Sequence, residues 1–314
     1  MTIQHEKRLR PVGAGAFPGK NMMQTYRFSI CGLQFVLQAE LPLNVRGDML
    51  PFYGGEGTPE LLIEGRAVPE LPEQEGVVCR RDTQWQALRS GQRISRCRTQ
   101  SLHAAPYACV SYTLEAPGHV LLTVREADWS WATDHLRLWS TLSLPQLLLH
   151  VQTLIFHASY IVTGGRAILF TAPSQTGKST QAGLWQKFRG ARVVNGDKAA
   201  VTLRGRPLAH GVPFSGTSGI CENVSAPLAA IVVLSQAPDN TIRRLGPSQA
   251  AAALCPNLFA DKAVSEEWAL ALQGLLDLVA SVPVYALACT PDERAVEALE
   301  RAMDADRQTD EGDA

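Results

Sequence analysis

Nine consecutive residues, Ala172-Pro-Ser-Gln-Thr-Gly-Lys-Ser-Thr180, limit what this chain can fold into more than any other stretch. They follow a fixed pattern: Ala or Gly, four residues of any kind, then Gly-Lys-Ser. The pattern only functions between an apolar strand and the start of a helix, and both flanks are present. Ala167-Ile-Leu-Phe170 leads in, and residues 178–188 lead out with Leu184, Trp185 and Phe188 on one face, stopping near Gly190. In that setting successive backbone N–H groups and a helix N-terminus wrap the phosphates of a nucleoside triphosphate. Gly177 permits close approach of backbone to phosphate. Lys178 places a point charge on the β and γ oxygens, and Ser179 offers a hydroxyl to Mg²⁺. The expected nucleotide-binding set is therefore Ala172, Pro173, Ser174, Gln175, Thr176, Gly177, Lys178, Ser179 and Thr180, with ATP and Mg²⁺ as the implied ligands. Ala172 replaces the commoner leading glycine, and Gln175 sits where glycine is often found.

The segment before this loop has a period of two. Residues 156–162 read as a strand, Gly164-Gly165 as a two-residue turn and residues 166–171 as a second strand. A two-residue turn pairs Thr163 with Arg166, and the same register puts His157 opposite Ala172 at the mouth of the loop. His157 is then either a γ-phosphate neighbour or a hydrogen-bonded core histidine.

A magnesium–nucleotide site calls for a carboxylate at the end of a second strand. The run Ala191-Arg-Val-Val-Asn-Gly-Asp197 supplies one, so Asp197 is a candidate metal ligand with Ser179, a candidate general base, or a turn residue after Asn-Gly. Lys198 adds a charge beside it. Residues 211–219, with Pro213, Ser215 and Gly216, form a Gly/Ser-rich loop that suits a substrate-positioning role or an ordinary turn cluster. Arg243 and Arg244 are candidates for stabilising a transferred phosphate, or solvated strand charges.

Around this centre the expected architecture is a mixed α/β domain, residues 143–303, preceded by a β-rich domain, residues 23–142. Residues 1–22 read as disordered and residues 304–314 as a frayed acidic tail. In the first domain, residues 26–30 and 33–37 read as a hairpin through Cys31-Gly32, with further strands at 77–79, 109–113 and 119–124. Ser143-Leu-Pro-Gln reads as the start of a helix carrying Leu147, Leu148, Val151, Leu154 and Ile155 on one face. Beyond the loop, strands are expected at 229–234, 241–245 and 284–287 and a helix at 264–279. The last helix should begin at the capping box Thr290-Pro-Asp-Glu293.

Composition narrows the function classes. With 29 basic and 30 acidic residues the net charge is −1, which gives no general affinity for nucleic acid or anionic membranes. The apolar stretch 144–162 is interrupted by Pro145, His150, Gln152 and His157 and does not read as a membrane span. The N-terminus lacks a secretory pattern, so a cytoplasmic protein is expected. The seven cysteines are scattered without CxxC pairs. They read as buried free thiols, with no disulfide framework and no zinc site.

His157-Ala-Ser, Gly164-Gly165, residues 172–180 and Val194-Asn-Gly-Asp197 occur in the order and spacing of HPr kinase/phosphorylase, and residues 144–303 resemble the catalytic domain of that family. The resemblance is nearest to its smaller relatives, among them lasso-peptide serine kinases. It implies a phosphate-loop fold shared with phosphoenolpyruvate carboxykinase. It also implies ATP-dependent phosphorylation of a serine or threonine hydroxyl on a protein or peptide, and a tendency to form homo-oligomers. By match, Lys178 would hold the β/γ-phosphates, Ser179 and Asp197 would serve Mg²⁺, and His157 would lie by the γ-phosphate. Where the family carries paired aspartates this chain has Gly196-Asp197, so Asp197 or His157 would act as base. Thr180 replaces the acidic residue of true HPr kinases, and their phosphorolysis loop has no clear counterpart. Two other readings remain open: an ATP-binding regulator without catalysis, and a small-molecule phosphate-loop kinase or ATPase.

Overall fold

The chain forms two large sheets, seen in a computed structural model that describes residues 23–101, 104–173 and 175–312. The expected disorder of residues 1–22 lies outside the described residues. The described residues divide into two compact units, residues 23–29 with 33–144, and residues 30–32 with 145–312.

The first unit is built on eight strands: β1 (Gln24–Ile30), β2 (Leu33–Ala39), β3 (Leu61–Val68), β4 (Val77–Arg81), β5 (Trp85–Ser90), β6 (Arg93–Arg98), β7 (Ala108–Thr113) and β8 (Ala116–Arg125). They lie side by side in the order β1-β2-β3-β8-β7-β6-β5-β4. The β1–β2 hairpin turns at Cys31-Gly32, both at positive φ (56° and 74°), the backbone such a two-residue turn needs. Two short helices follow, α1 (Trp129–Ala132) and α2 (Leu138–Thr141). Trp139 of α2 packs edge-on against Phe28 and Phe35 at 5.0 and 6.4 Å between ring centres. The expectation that all seven cysteines are free thiols is corrected here. Cys97 and Cys109 are directly opposed residues of β6 and β7, and that pairing brings their sulfurs into a disulfide.

The second unit opens with α3 (Leu144–Leu149) and the strands β9 (Thr153–Thr163) and β10 (Arg166–Thr171). The helix expected to carry Leu154 and Ile155 stops earlier. Gln152 turns the chain at φ 54°, and those two residues begin β9 instead, facing Val201 and Ala200 of a neighbouring strand. Next come α4 (Lys178–Arg189), β11 (Arg192–Asn195), β12 (Lys198–Thr202), β13 (Leu208–His210) and β14 (Ser225–Gln236). The unit ends with β15 (Thr241–Arg244), α5 (Pro247–Leu254), α6 (Ser265–Ser281), β16 (Val284–Cys289) and α7 (Glu293–Gly312).

Two long strands organise this sheet. β9 pairs β12 through residues 153–157 and β10 through residues 158–163, while β14 pairs β13 at its start and β10 beyond Pro227. The sheet is mixed: β10, β14 and β16 run parallel, so Thr171, Gln236 and Cys289 end at the same edge, where open α/β sheets hold ligands. Both faces are covered. Ile168 and Phe170 join the core under α4 and α7, with Trp185, Val296 and Leu299; Ala167 and Leu169 join the core under α5 and α6, with Leu254 and Leu275.

Two expectations for the last helix are corrected. Thr290 is held by Asn240, and Asp292 caps instead, its carboxylate accepting from the Arg294 N–H at 3.1 Å; the helix thus starts at Glu293. It also continues past residue 304, where a frayed tail is expected, to Gly312, and its Asp306 accepts hydrogen bonds from Tyr285 at 2.5 Å and Arg244 at 3.1 Å. No helix among the described residues is long and apolar enough to cross a membrane.

Candidate functional site

The Gly164-Gly165 turn sets the geometry of the site. Both glycines adopt positive φ (53° and 71°), and the hairpin pairs Thr163 with Arg166 through to Ala158 with Thr171. The β9–β10 ladder stops there, and His157, the next residue of β9, is paired with Lys198 of β12. Thr171 ties the ends together by donating its hydroxyl to the His157 carbonyl at 3.0 Å.

Ala172 is fully buried in the core under α4, which explains a methyl at the head of the loop. Gln175 adopts φ 65°, the left-handed backbone that favours glycine at this position. Gly177 at φ 115° lets the chain enter α4, whose first intrahelical bond runs from the Gln181 N–H to the Gly177 carbonyl at 2.9 Å. The N–H groups of residues 178–180 therefore have no partner within the helix, the arrangement that receives anions. Lys178 is buried and donates to the carbonyls of Ala172 (2.9 Å) and Pro173 (3.3 Å). Burial lowers its pKa, and Asp197 pulls the other way. Ser179 and Thr180 are exposed at the first turn. Ser174 lies outside the described residues.

Asn195 builds the opposite wall. Its side-chain oxygen accepts from the N–H groups of Asp197 and Lys198, both at 2.9 Å, while its amide donates to Val212 and Phe214. This pins the turn between β11 and β12 to the loop of residues 211–219. Asp197 then lies against His157. The His157 Nδ1 is 3.1 Å from the Asp197 carbonyl oxygen and 3.4 Å from its carboxylate. A carbonyl only accepts, so Nδ1 carries the proton and Nε2 keeps its lone pair. Burial lowers the pKa of His157, and the Lys178 cation lowers it further against the opposing pull of Asp197. The imidazole is thereby kept neutral and available as a base. The Asp197 carboxylate accepts a hydrogen bond from Lys198.

The expected substrate loop abuts this carboxylate. Gly216 is at φ 56°, and a β carbon there would lie 2.5 Å from Asp197 Cβ. At Gly196 a β carbon would meet Ser218 Oγ at 2.6 Å, so the loop fills the space that a second aspartate would need. Ser215 is buried, and Pro213 precedes Phe214, whose ring lies 5.3 Å from the Lys198 ammonium. Phe259 faces the same ammonium at 5.2 Å and meets His157 edge-on at 6.3 Å. The sequence reading missed Phe214 and Phe259. Both follow irregular connections whose path no periodicity predicts, and Phe259 arrives only because its N–H donates to Ile155 of β9. Arg243 and Arg244 are engaged with Gln249 and Asp306 on the far strand β15, away from the loop.

Ser179 and Asp197 are hard oxygen donors of the kind Mg²⁺ takes, and two protein oxygens suffice for an ion that keeps waters and phosphate oxygens as its other ligands. Among the described residues no cluster of three or more His, Cys, Asp or Glu side chains offers a complete metal cage.

No curated protein sequence matches the chain. Among solved structures, the HPr(Ser) kinase/phosphatase from Coxiella burnetii is similar over 50% of this chain and 93% of that one, with 13% identity and a TM-score of 0.30, too loose a likeness to carry an argument. The sequence profile of the SynChlorMet cassette protein ScmC family matches residues 126–304, more than half of the chain, and the protein belongs to that family.

Proposed function

We propose that this protein is an ATP- and Mg²⁺-dependent kinase-like enzyme, with an HPr-kinase-like phosphate-loop domain, that transfers the γ-phosphate to a serine or threonine hydroxyl of a protein or peptide. The observation that carries the reading is the placement of His157. What supports it is an imidazole whose Nδ1 meets the Asp197 carbonyl and whose backbone carbonyl accepts from Thr171, the last residue before the loop. Lys178 leaves its loop carbonyls for the β/γ-phosphates when nucleotide enters. His157 Nε2 takes the proton of the acceptor hydroxyl as its oxygen bonds to the γ-phosphorus, and the bond to the β–γ bridging oxygen breaks to release ADP. Ser179 and Asp197 would hold Mg²⁺, which neutralises charge on the phosphates when bound. The loop at Pro213, Ser215 and Gly216 would line the acceptor's path to Asp197.

A calorimetric titration with ATP and Mg²⁺ tests this. Wild type should bind in the micromolar range, and Lys178→Met should weaken binding by at least about tenfold. An absence of binding by wild type sinks the proposal. One observation favours a second reading, an ATP-binding regulator without catalysis: the space at Gly196 is occupied by Ser218, so Asp197 has no acidic neighbour. Tight ATP binding with no phosphoryl transfer to any hydroxyl peptide and no ADP formation would select that reading.

A further inference from the structure

The first sheet has two edges, and they differ in what covers them. At β1, Phe28 bridges to Tyr53, and the Gly54 N–H donates to the Arg27 carbonyl at 2.8 Å. At the other edge, β4 has β5 as its only strand neighbour among the described residues. Part of its main-chain N–H and C=O groups therefore points outward with no strand to receive it. All five of its residues, Val77-Val-Cys-Arg-Arg81, are exposed, Val77 by 74% and Val78 by 46%. Exposed β-branched residues on an open edge are a template for another extended segment.

A bulge sets what that segment would meet. Val78 pairs with Leu88 and Arg81 with Gln86, and the register shifts between Val78 and Arg80. Leu88 and Gln86 lie two apart in β5 and share a face, so Val78 and Arg81 share it too, where unbroken alternation would separate them. Val77 and Arg80, opposite Arg89 and Ala87, share the other face. Each face thus presents a valine followed by an arginine. On the first face a cavity of about 360 Å³ opens beside Val78 and Arg81, walled by Leu71, Pro72 and Leu88.

Charge names the partner. Residues 77–98, which hold β4, β5 and β6, carry six arginines against one aspartate, a net charge of +5 in a chain whose total is −1. Arg81 has a neutral partner: two of its guanidinium nitrogens donate to the Gln86 side-chain oxygen, at 3.2 and 2.8 Å. Arg80 reaches Asp82 only at 4.0 Å. Glu73 and Glu75, just before β4, form no ion pair with either arginine among the described residues. A second copy does not fit this edge, because pairing β4 with itself would gather four arginines and no carboxylate into one ribbon. A nucleic acid would use the charge and leave the valines and the main-chain groups unused.

We propose that β4 is a docking strand for an extended acidic peptide. The peptide adds to the sheet edge through main-chain hydrogen bonds, with carboxylates on Arg80 and Arg81 and apolar side chains on Val77 and Val78. This site lies wholly in the first unit and stands whether or not the loop at residues 172–180 binds nucleotide.

Fluorescence anisotropy with the full chain at low ionic strength tests it, using a labelled peptide of Glu-Glu-Val-Val repeats. Wild type should bind in the micromolar range, and more weakly as salt is added. A Lys-Lys-Val-Val peptide should bind about tenfold or more weakly, and so should the acidic peptide N-methylated at its valines, which has lost main-chain donors. Arg80→Glu with Arg81→Glu should weaken the acidic peptide by a similar factor, with an unchanged melting temperature as the sign that the unit remains folded. No binding of the acidic peptide by wild type overturns the proposal, as does equal binding of the lysine peptide or of the N-methylated one. A folded double variant that binds like wild type also overturns it. Displacement of the peptide by a lower concentration of a single-stranded DNA oligonucleotide would make the patch a nucleic-acid surface instead. A dimer in sedimentation that the double variant dissolves would give the edge to a second copy.

Discussion

His157 illustrates how one side chain gains a chemical role from its neighbours. The Asp197 carbonyl fixes its tautomer, while burial and the Lys178 cation hold it neutral. His157→Gln should therefore lower the turnover of ATP to ADP and phosphorylated acceptor by about 10²-fold or more, with ATP affinity changed little. Equal losses in affinity and turnover would assign His157 to binding instead. His210 is a contrasting case without a role in the site. It is buried, Nδ1 meets the Ser225 hydroxyl at 2.7 Å, and burial lowers its pKa to about 4. The unfolded chain takes up this proton near pH 6.5, the folded chain only near pH 4. The stability linked to His210 is thus complete above pH 6.5 and is lost as pH falls through that window, by roughly 3 kcal/mol in all. His210→Leu should flatten the acid limb of a stability–pH curve by that order. An unchanged limb would place the acid sensitivity in other groups.

At the scale of elements, the hairpin β9–β10 and the loop of residues 211–219 work against each other's freedom. The hairpin positions His157; the loop, held by Asn195, presses on Gly196 and Asp197. A side chain at residue 196 has no room while Ser218 Oγ lies 2.6 Å from its β carbon. Gly196→Ala should destabilise the protein by about 1–3 kcal/mol in chemical denaturation, and adding Ser218→Gly should recover most of the loss. Simple additivity of the two changes would mean that the loop moves freely and does not confine Asp197.

At the scale of the whole molecule, the residues of the candidate site all belong to the unit of residues 145–314, while the disulfide Cys97–Cys109 belongs to the other. It closes a loop with a sequence separation of 12, which restricts the unfolded chain by about 3 kcal/mol. Reduction, or Cys97→Ser with Cys109→Ser, should lower the stability of the first unit by that order and leave ATP affinity unchanged. A matching fall in ATP affinity would show that the nucleotide site depends on the first unit.

The local parts were legible in the sequence, because the signals for them are local. Gly164-Gly165 dictates a two-residue turn, and the turn dictates the register from Thr163–Arg166 to Ala158–Thr171. Gly-Lys-Ser after an apolar strand dictates the loop and α4, and Gly190 at φ 64° ends that helix. The rest was not legible, because it depends on contacts between residues far apart in the chain. Leu154 and Ile155 read as helical until β12 and the 255–259 segment border them on both sides. Cys97 and Cys109 read as separate thiols until two strands oppose them. The tail beyond residue 304 reads as frayed until Tyr285 and Arg244 reach Asp306. Phe214 and Phe259 carry no motif. They reach Lys198 and His157 only when the 211–219 loop and the 255–259 segment fold against β12 and β9. Periodicity and turn chemistry constrain a residue's neighbours in sequence; which distant groups share a wall is settled by packing alone.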